Sequence, residues 1–332
     1  MTTPQEPVPP RPVPPRPVLP VGVPAAGADL LLRGRRFGPD HPVVMAVINR
    51  TPDSFYAAAR YDDAGADAAV DRAVADGADL VDLGGVRAGR GPRVDADEEI
   101  RRVIPLVERV RARHPDLLVS VDTWRSAVAL AAAGAGADLV NDTWAGHDPH
   151  LVEVAAEHGL GVVCSHTGGA LPRTDPLRVD YPDASALAAV PGTDGDRDPL
   201  DGVLDDVVRV LTAAARRAVA LGIDPASVLV DPTHDFGKNT WHSLHLVRRT
   251  GALVRLGHPV LVALSRKDLI GETLDLPAED RLEGSLAATS VAAWLGARVF
   301  RTHDVLATRR TLDMVAAIRG DAVPARAVRG LA

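Results

Sequence analysis

From position 43 onward, short β-rich runs alternate with longer helical patterns, and this alternation restricts the fold more than any other feature. The candidate strands are 43–48, 80–83, 117–121, 138–140, 161–164, 228–230, 260–264 and 298–301. Between and after them lie helical patterns at about 65–76, 96–113, 125–134, 150–158, 202–221, 241–256, 281–295 and 304–318. The strands are nearly all apolar rather than alternating, which indicates a parallel sheet covered on both faces. Eight strand-helix units predict an α/β fold of the (β/α)8 TIM-barrel class rather than an open doubly wound sheet. Asp95, with Glu98 three residues on and an apolar run behind it, predicts a capped start for the second helix.

In such a barrel, loops at the C-terminal strand ends build the active site, so polar chemistry should follow each strand. It does. The first strand runs into Asn49, Thr51 and Asp53, the second into "GGVRAGRGP", the third into Asp122-Thr123 and the fourth into Asn141-Asp142. The fifth leads to Ser165-His166-Thr167, the sixth to "DPTHDFGK", the seventh to "SRKD" and the eighth to "RTHD". Strand ends are often polar because Asp, Asn and Ser cap helices. Capping accounts for one or two of these loops, and eight need another reason. The 37 basic side chains include only two lysines, Lys238 and Lys267, and both fall in these loops. A lysine kept where arginine serves everywhere else suggests that a compact ammonium is needed inside a pocket.

The flanks are simpler. The stretch "MTTPQEPVPPRPVPPRPVLPVGVP" has no continuous apolar core and reads as an extended polyproline II tail over 1–29, with the barrel domain filling 30–332. A net charge of −7 with no basic stripe argues against a nucleic-acid surface. No run approaches the ~20 apolar residues of a membrane span. The single cysteine, Cys164, excludes an intrachain disulfide framework and fits a cytoplasmic setting. Local motifs are weak: "GGVRAGRGP" is not a dinucleotide fingerprint, "DFGK" lacks the first glycine of a phosphate loop, and the histidines lack zinc spacing. The segment 168–201 is a long Gly-, Pro- and Asp-rich loop of the kind that forms a lid or an insertion.

Taken together and in order, "VMAVINRTPDSFY", "VDLGG", "SVDTWRSAVA", "GADLVNDTWAG", "VLVDPTHDFGKN", "PVLVALSRKDLIG" and "RLEGSLAATSVAAWLGARVFRTHDV" resemble the successive signatures of dihydropteroate synthases. In character the chain is similar to the divergent second paralogue of that family in actinobacteria. The resemblance implies that Asp122, Asn141, Asp231 and Lys267 contact a pterin. It implies that Asn49, Arg301 and His303 hold a diphosphate and its Mg2+, with Arg301 as a bidentate clamp, and that Phe236, Gly237 and Thr302 line the substrate. It implies a catalytic set of Asp122, Lys267, Arg301 and His303, a mobile loop "RTPDS" and a homodimer, for which helix 281–295 offers an apolar face. The implied reaction joins 6-hydroxymethyl-7,8-dihydropterin diphosphate to p-aminobenzoate with loss of diphosphate.

On the acceptor side, the candidate residues are Arg87, Arg90, Ser265, Arg266 and Asp268, and here the pattern departs from that of the family. Val86-Arg87-Ala88-Gly89-Arg90 stands where the family has Glu-Ser-Thr-Arg-Pro, and Asp268 stands where it has serine. A carboxylate about 4 Å from that of p-aminobenzoate would repel it by roughly 4 kcal/mol at an effective dielectric of 20. Arg87 or Arg90 would have to neutralise it, or Asp268 would have to point elsewhere. Three readings follow: an active synthase, a pterin-binding paralogue with a regulatory role or another acceptor, and a different pterin enzyme such as a methyltetrahydrofolate-dependent methyltransferase.

Overall fold

The computed structural model describes residues 24–49, 63–174, 180–181, 198–326 and 328. A two-stranded hairpin, β1 (Leu30–Leu32) and β2 (Arg35–Phe37), precedes eight parallel strands. These are β3 (Val43–Asn49), β4 (Leu80–Gly84), β5 (Leu118–Asp122), β6 (Leu139–Asp142), β7 (Gly161–Ser165), β8 (Val228–Asp231), β9 (Leu261–Val262) and β10 (Val299–Thr302). Their order is β8-β7-β6-β5-β4-β3-β10-β9, and a parallel bridge between Val230 and Val260 joins the last strand to the first. The sheet thus closes into the expected barrel. The helices are α1 (Asp63–Ala75), α2 (Ala96–Arg113), α3 (Ser126–Ala135), α4 (Leu151–Glu157), α5 (Asp201–Ala220), α6 (Thr240–Arg248), α7 (Thr250–Val254), α8 (Asp268–Leu274), α9 (Leu282–Trp294) and α10 (Val305–Arg319).

Strand parity sorts the apolar side chains into two clusters. Successive side chains point to opposite faces, so every second residue of a strand enters the barrel. Met45, Leu80, Leu118, Leu139, Val163, Leu229, Leu261 and Val299 fill the lower interior. Their neighbours, among them Val44, Val81, Val119, Val140, Val162, Val228, Val262 and Phe300, face outward and pack with helix residues such as Val107, Val128, Leu211 and Leu312. Continuing the inward parity upward replaces leucine and valine with Asp82, Ser120, Asn141, Ser165, Asp231 and Arg301. The same rule that fills the core therefore delivers polar groups to its upper end.

The hairpin was not visible in the sequence pattern, because three-residue strands are too short to show a period. Arg33 and Gly34 take positive φ values of 49° and 72° in its two-residue turn, which matches the right-handed twist of the strands. Leu30, Leu32 and Phe37 then join the interior cluster and plug the bottom of the barrel. Residues 24–29, which the sequence pattern assigns to the tail, are pinned: Arg298 donates to the carbonyls of Gly27, Ala28 and Gly38, and Arg319 to that of Pro24. Residues 1–23 lie outside the described residues. Asp95 caps α2 by accepting from the Glu98 N–H at 2.9 Å, while the Glu98 carboxylate turns to Arg101 and Arg102 instead of completing the box. The predicted helix 241–256 is broken into α6 and α7, with Thr250 Oγ1 donating to the Val247 carbonyl at the break. Among the described residues, no helix is long and apolar enough to cross a membrane.

Candidate active site

A cavity of about 390 Å3 opens at the C-terminal end of the barrel. Its floor is the polar layer set by strand parity. Asp82, fully buried on β4, accepts from Ser120 Oγ at 2.6 Å, from Asn141 Nδ2 at 3.0 Å and from Arg301 Nε at 2.6 Å. Arg301 also donates through Nη2 to Asp122 Oδ2 at 3.0 Å, and Asp122 accepts from Thr143 Oγ1 at 2.8 Å. Burial raises the Asp122 carboxyl to about 7; the Arg301 charge opposes this and the nearby Asp82 charge reinforces it. One guanidinium thus joins two carboxylates from neighbouring strands.

The β8–α6 loop supplies a second group. Asp231 Oδ1 accepts from the Thr233 N–H at 2.7 Å, and burial raises its carboxyl against the pull of Lys267. Lys267 Nζ donates to the His234 carbonyl at 2.6 Å and lies 5.1 Å from the centre of the Phe236 ring. Burial lowers the Lys267 ammonium, while Asp235 and Asp231 hold it up. Trp144 meets Phe236 edge-on at 5.4 Å, which gives the cavity an aromatic wall beside its carboxylates. Gly237 has φ +59°, and a Cβ there would sit 1.9 Å from the Thr167 carbonyl oxygen, so only glycine lets the two loops touch.

His303 follows β10. Its N–H donates to Ser265 Oγ at 3.2 Å, and the same hydroxyl lies 3.2 Å from Nδ1. The hydroxyl either donates to Nδ1 or accepts from it, according to the tautomer of the ring. Burial, aided by the charge of Arg301, lowers this imidazole to about 4, so it is neutral at pH 7.

The fold brings Asn49, Asp122, Asn141, Asp231, Phe236, Gly237, Lys267, Arg301 and His303 to this one cavity, together with Arg87, Ser265, Arg266 and Asp268. The structure places several of the expected residues differently. Thr302 does not line the cavity: its Oγ1 pairs with Thr308 Oγ1 at 2.9 Å and accepts from the Asp304 N–H at the start of α10. Arg90 is exposed and is not among the lining residues. Arg266 reaches the lining, but its guanidinium binds Asp304 through two bonds of 2.8 and 2.9 Å and donates to the carbonyls of Ala278 and Glu279. Asp268 is paired by Arg281, at 2.9 Å, instead of by Arg87 or Arg90. The side-on edge of Arg301 is likewise committed to Asp82 and Asp122, so a phosphate oxygen would meet only its end-on Nη donors. The loop after Asn49, including "RTPDS", lies outside the described residues, as does most of 175–197.

Asp82 and Thr143 were missed as site residues. The signal for Asp82 was an acid in the middle of an otherwise apolar strand, "LVDLG". Lys238 divides from Lys267: it is buried and donates to the carbonyls of His166, Thr233 and Phe236 at 2.8, 3.2 and 2.9 Å. Three donors on one small head satisfy three carbonyls around a point, which a planar guanidinium would not. It clasps the β7–α5 loop to the β8–α6 loop and does not line the cavity. Among the described residues, no group of three or more His, Cys, Asp or Glu side chains could hold a metal ion. The amide of Asn49 suits a hard cation only if another ligand fills most of the coordination sphere.

The sequence matches the model of the family described as "Pterin binding enzyme" over residues 45–303. It is 57% identical over 302 residues to "Inactive dihydropteroate synthase 2" of Mycobacterium tuberculosis strain H37Rv, covering 91% of this chain and 90% of that one. It is 35% identical over 285 residues to "Dihydropteroate synthase" of Bacillus subtilis, covering 83% and 88%. Its backbone is similar, with a TM-score of 0.73 and 31% identity, to the dihydropteroate synthase of Coxiella burnetii solved with pteroic acid, over 88% of this chain and 98% of that one. With the barrel, the polar floor and the ordered loop motifs, these likenesses show that the chain belongs to the pterin-binding enzyme family, on its dihydropteroate synthase branch.

Proposed function

We propose that this chain is a dihydropteroate synthase-like transferase that binds 6-hydroxymethyl-7,8-dihydropterin diphosphate in the cavity. The pterin methylene is transferred to an amine, p-aminobenzoate in the family reaction, with loss of diphosphate, as a step of folate biosynthesis. One observation carries this reading: Asp122, Asn141 and Asp231 converge on a single floor beside the aromatic wall of Trp144 and Phe236. A pterin is a flat ring with an edge of alternating donors and acceptors, and an amide with two carboxyls can read that edge in a water-poor site. Lys267, held over Phe236, would use its remaining donors toward the same ring.

In this reading, Arg301 stabilises the negative charge that develops on the departing diphosphate through its end-on donors. The neutral His303, in the tautomer that carries its proton on Nε2, would offer that N–H to the same group. Mg2+ would be held by the Asn49 amide together with the diphosphate oxygens, and its chemistry would be to neutralise the leaving group. Asp122 would stabilise the cationic pterin left behind. We place the protein in the cytoplasm, where the unpaired Cys164 stays reduced. We also infer a homodimer through α9 and α10, where Val291, Met314 and Ile318 leave apolar side chains exposed.

A second reading, a pterin-binding paralogue that makes no dihydropteroate, is favoured by Asp268, which stands largely exposed at the acceptor rim where the family has serine. One experiment separates them. Purified protein is mixed with the pterin diphosphate and Mg2+, and diphosphate release is followed with and without p-aminobenzoate, with Lys267→Ala as control. Release that needs p-aminobenzoate and is lost in the variant supports the transferase. Binding without release supports the second reading, and absence of binding refutes both.

A further inference from the structure

On the cavity wall built by the segment from β9 into α8, the groups that could receive an anionic acceptor are already engaged with the protein itself. Ser265 Oγ is shared between the backbone N–H and Nδ1 of His303. Arg266 spends its donors on Asp304 and two carbonyls. The Leu269 N–H, at the start of α8, donates to Asp235 Oδ2 at 3.1 Å, so a carboxylate of the protein already occupies that site. Asp235 is fixed there by Ser243 Oγ, which donates to its Oδ1 at 2.9 Å. Lys267 is turned down to the His234 carbonyl. What remains at the rim is Asp268, with its side chain 61% exposed, and its partner Arg281 also donates to the carbonyls of Arg266 and Leu276.

We propose that the acceptor which meets the pterin methylene on this wall carries no negative charge, and is a primary amine that reacts through an unprotonated nitrogen. The proposal rests on the pterin diphosphate reading given above. The amine nitrogen forms the new C–N bond with its lone pair. The C–O bond to diphosphate breaks, its electron pair leaves with the diphosphate, and one amine proton passes to water. A carboxylate on the acceptor would instead face the exposed side of Asp268, whose pairing with Arg281 offsets only part of its charge. Arg87, three strands round the barrel on the β4–α2 loop, is the lining cation that could draw such a carboxylate the other way.

The test uses p-aminobenzamide and p-aminobenzoate, which share a shape and differ by one charge. Full-length protein saturated with the pterin diphosphate and Mg2+ is titrated with each, and diphosphate release is followed in parallel. The amide should bind about three- to tenfold more tightly, a range set by a largely exposed charge. Asp268→Ser, an exposed substitution that should leave the fold intact, should remove this preference by tightening p-aminobenzoate. Equal or tighter binding of p-aminobenzoate by the native protein overturns the proposal, as does a preference unchanged in Asp268→Ser. Binding of p-aminobenzoate that is lost in Arg87→Ala overturns it too, because the acceptor would then be read from the other wall. If neither amine binds the pterin-loaded protein, the proposal fails while the pterin reading stands. If the pterin diphosphate itself does not bind, the underlying reading fails.

Discussion

Arg301 is held from two sides, by Asp82 at 2.6 Å and Asp122 at 3.0 Å, and this arrangement sets the charge of the cavity floor. The Asp122 carboxyl, raised to about 7 by burial, keeps its proton in the folded chain at pH values where an unfolded aspartate, near 3.9, has lost it. Its contribution to stability is therefore fully present below pH 4 and is lost as pH rises through 7. Asp122→Asn does not titrate, so the variant should gain on the native protein between pH 4 and pH 8 by roughly 1–3 kcal/mol. Full linkage would give more, but the carboxyl keeps 21% exposure in the open cavity. Urea unfolding of both proteins at several pH values checks this, and a difference that stays flat with pH would refute it. At this scale the sequence showed most of the cavity. Loop residues after the strands were readable because the barrel rule names their position. Asp82 escaped because its partners, Ser120, Asn141 and Arg301, come from three other strands, and no local pattern records them.

Among the elements, the β1–β2 hairpin is the clearest case of a short local structure with a long-range task. Leu30 and Leu32 are 0% and 2% exposed at the bottom of the barrel, although only a handful of residues separates them from the proline-rich tail. Leu32→Ala should destabilise the protein by about 2–5 kcal/mol, the range for a buried leucine that leaves a cavity. Gly161→Ala should act at the same joint, since a Cβ there would meet Leu32 Cδ2 at 2.6 Å and the Ser227 carbonyl oxygen at 2.9 Å. Chemical denaturation measures both, and a loss under about 1 kcal/mol for Leu32→Ala would show that the hairpin is no plug. Long elements with a clear period, such as α2 and α5, were legible to within a residue or so. The hairpin was not, because three-residue strands are too short to display a period, and α8 was not either, although α4 of the same seven-residue length was.

For the molecule as a whole, the inferred dimer is the property most open to direct measurement. Met314 and Ile318 lie one turn apart on α10 and are 61% and 60% exposed, so charging them costs an isolated chain little. The double variant Met314→Lys with Ile318→Asp should sediment as a monomer at micromolar concentration, where the native chain sediments as a dimer. A native chain that sediments as a monomer would remove the dimer from the proposal. The sequence by itself determined the strand-helix alternation, the barrel and the polar end of every strand, because these depend on local periodicity and on which residues follow each strand. Only the tertiary structure decided which groups face one another. It assigned Asp268 to Arg281, the side-on edge of Arg301 to Asp82 at a separation of 219 residues, and Lys238 to a clasp between loops. Such pairings depend on distances in space that closure of the barrel sets, and a charge in a sequence carries no mark of the partner it will meet.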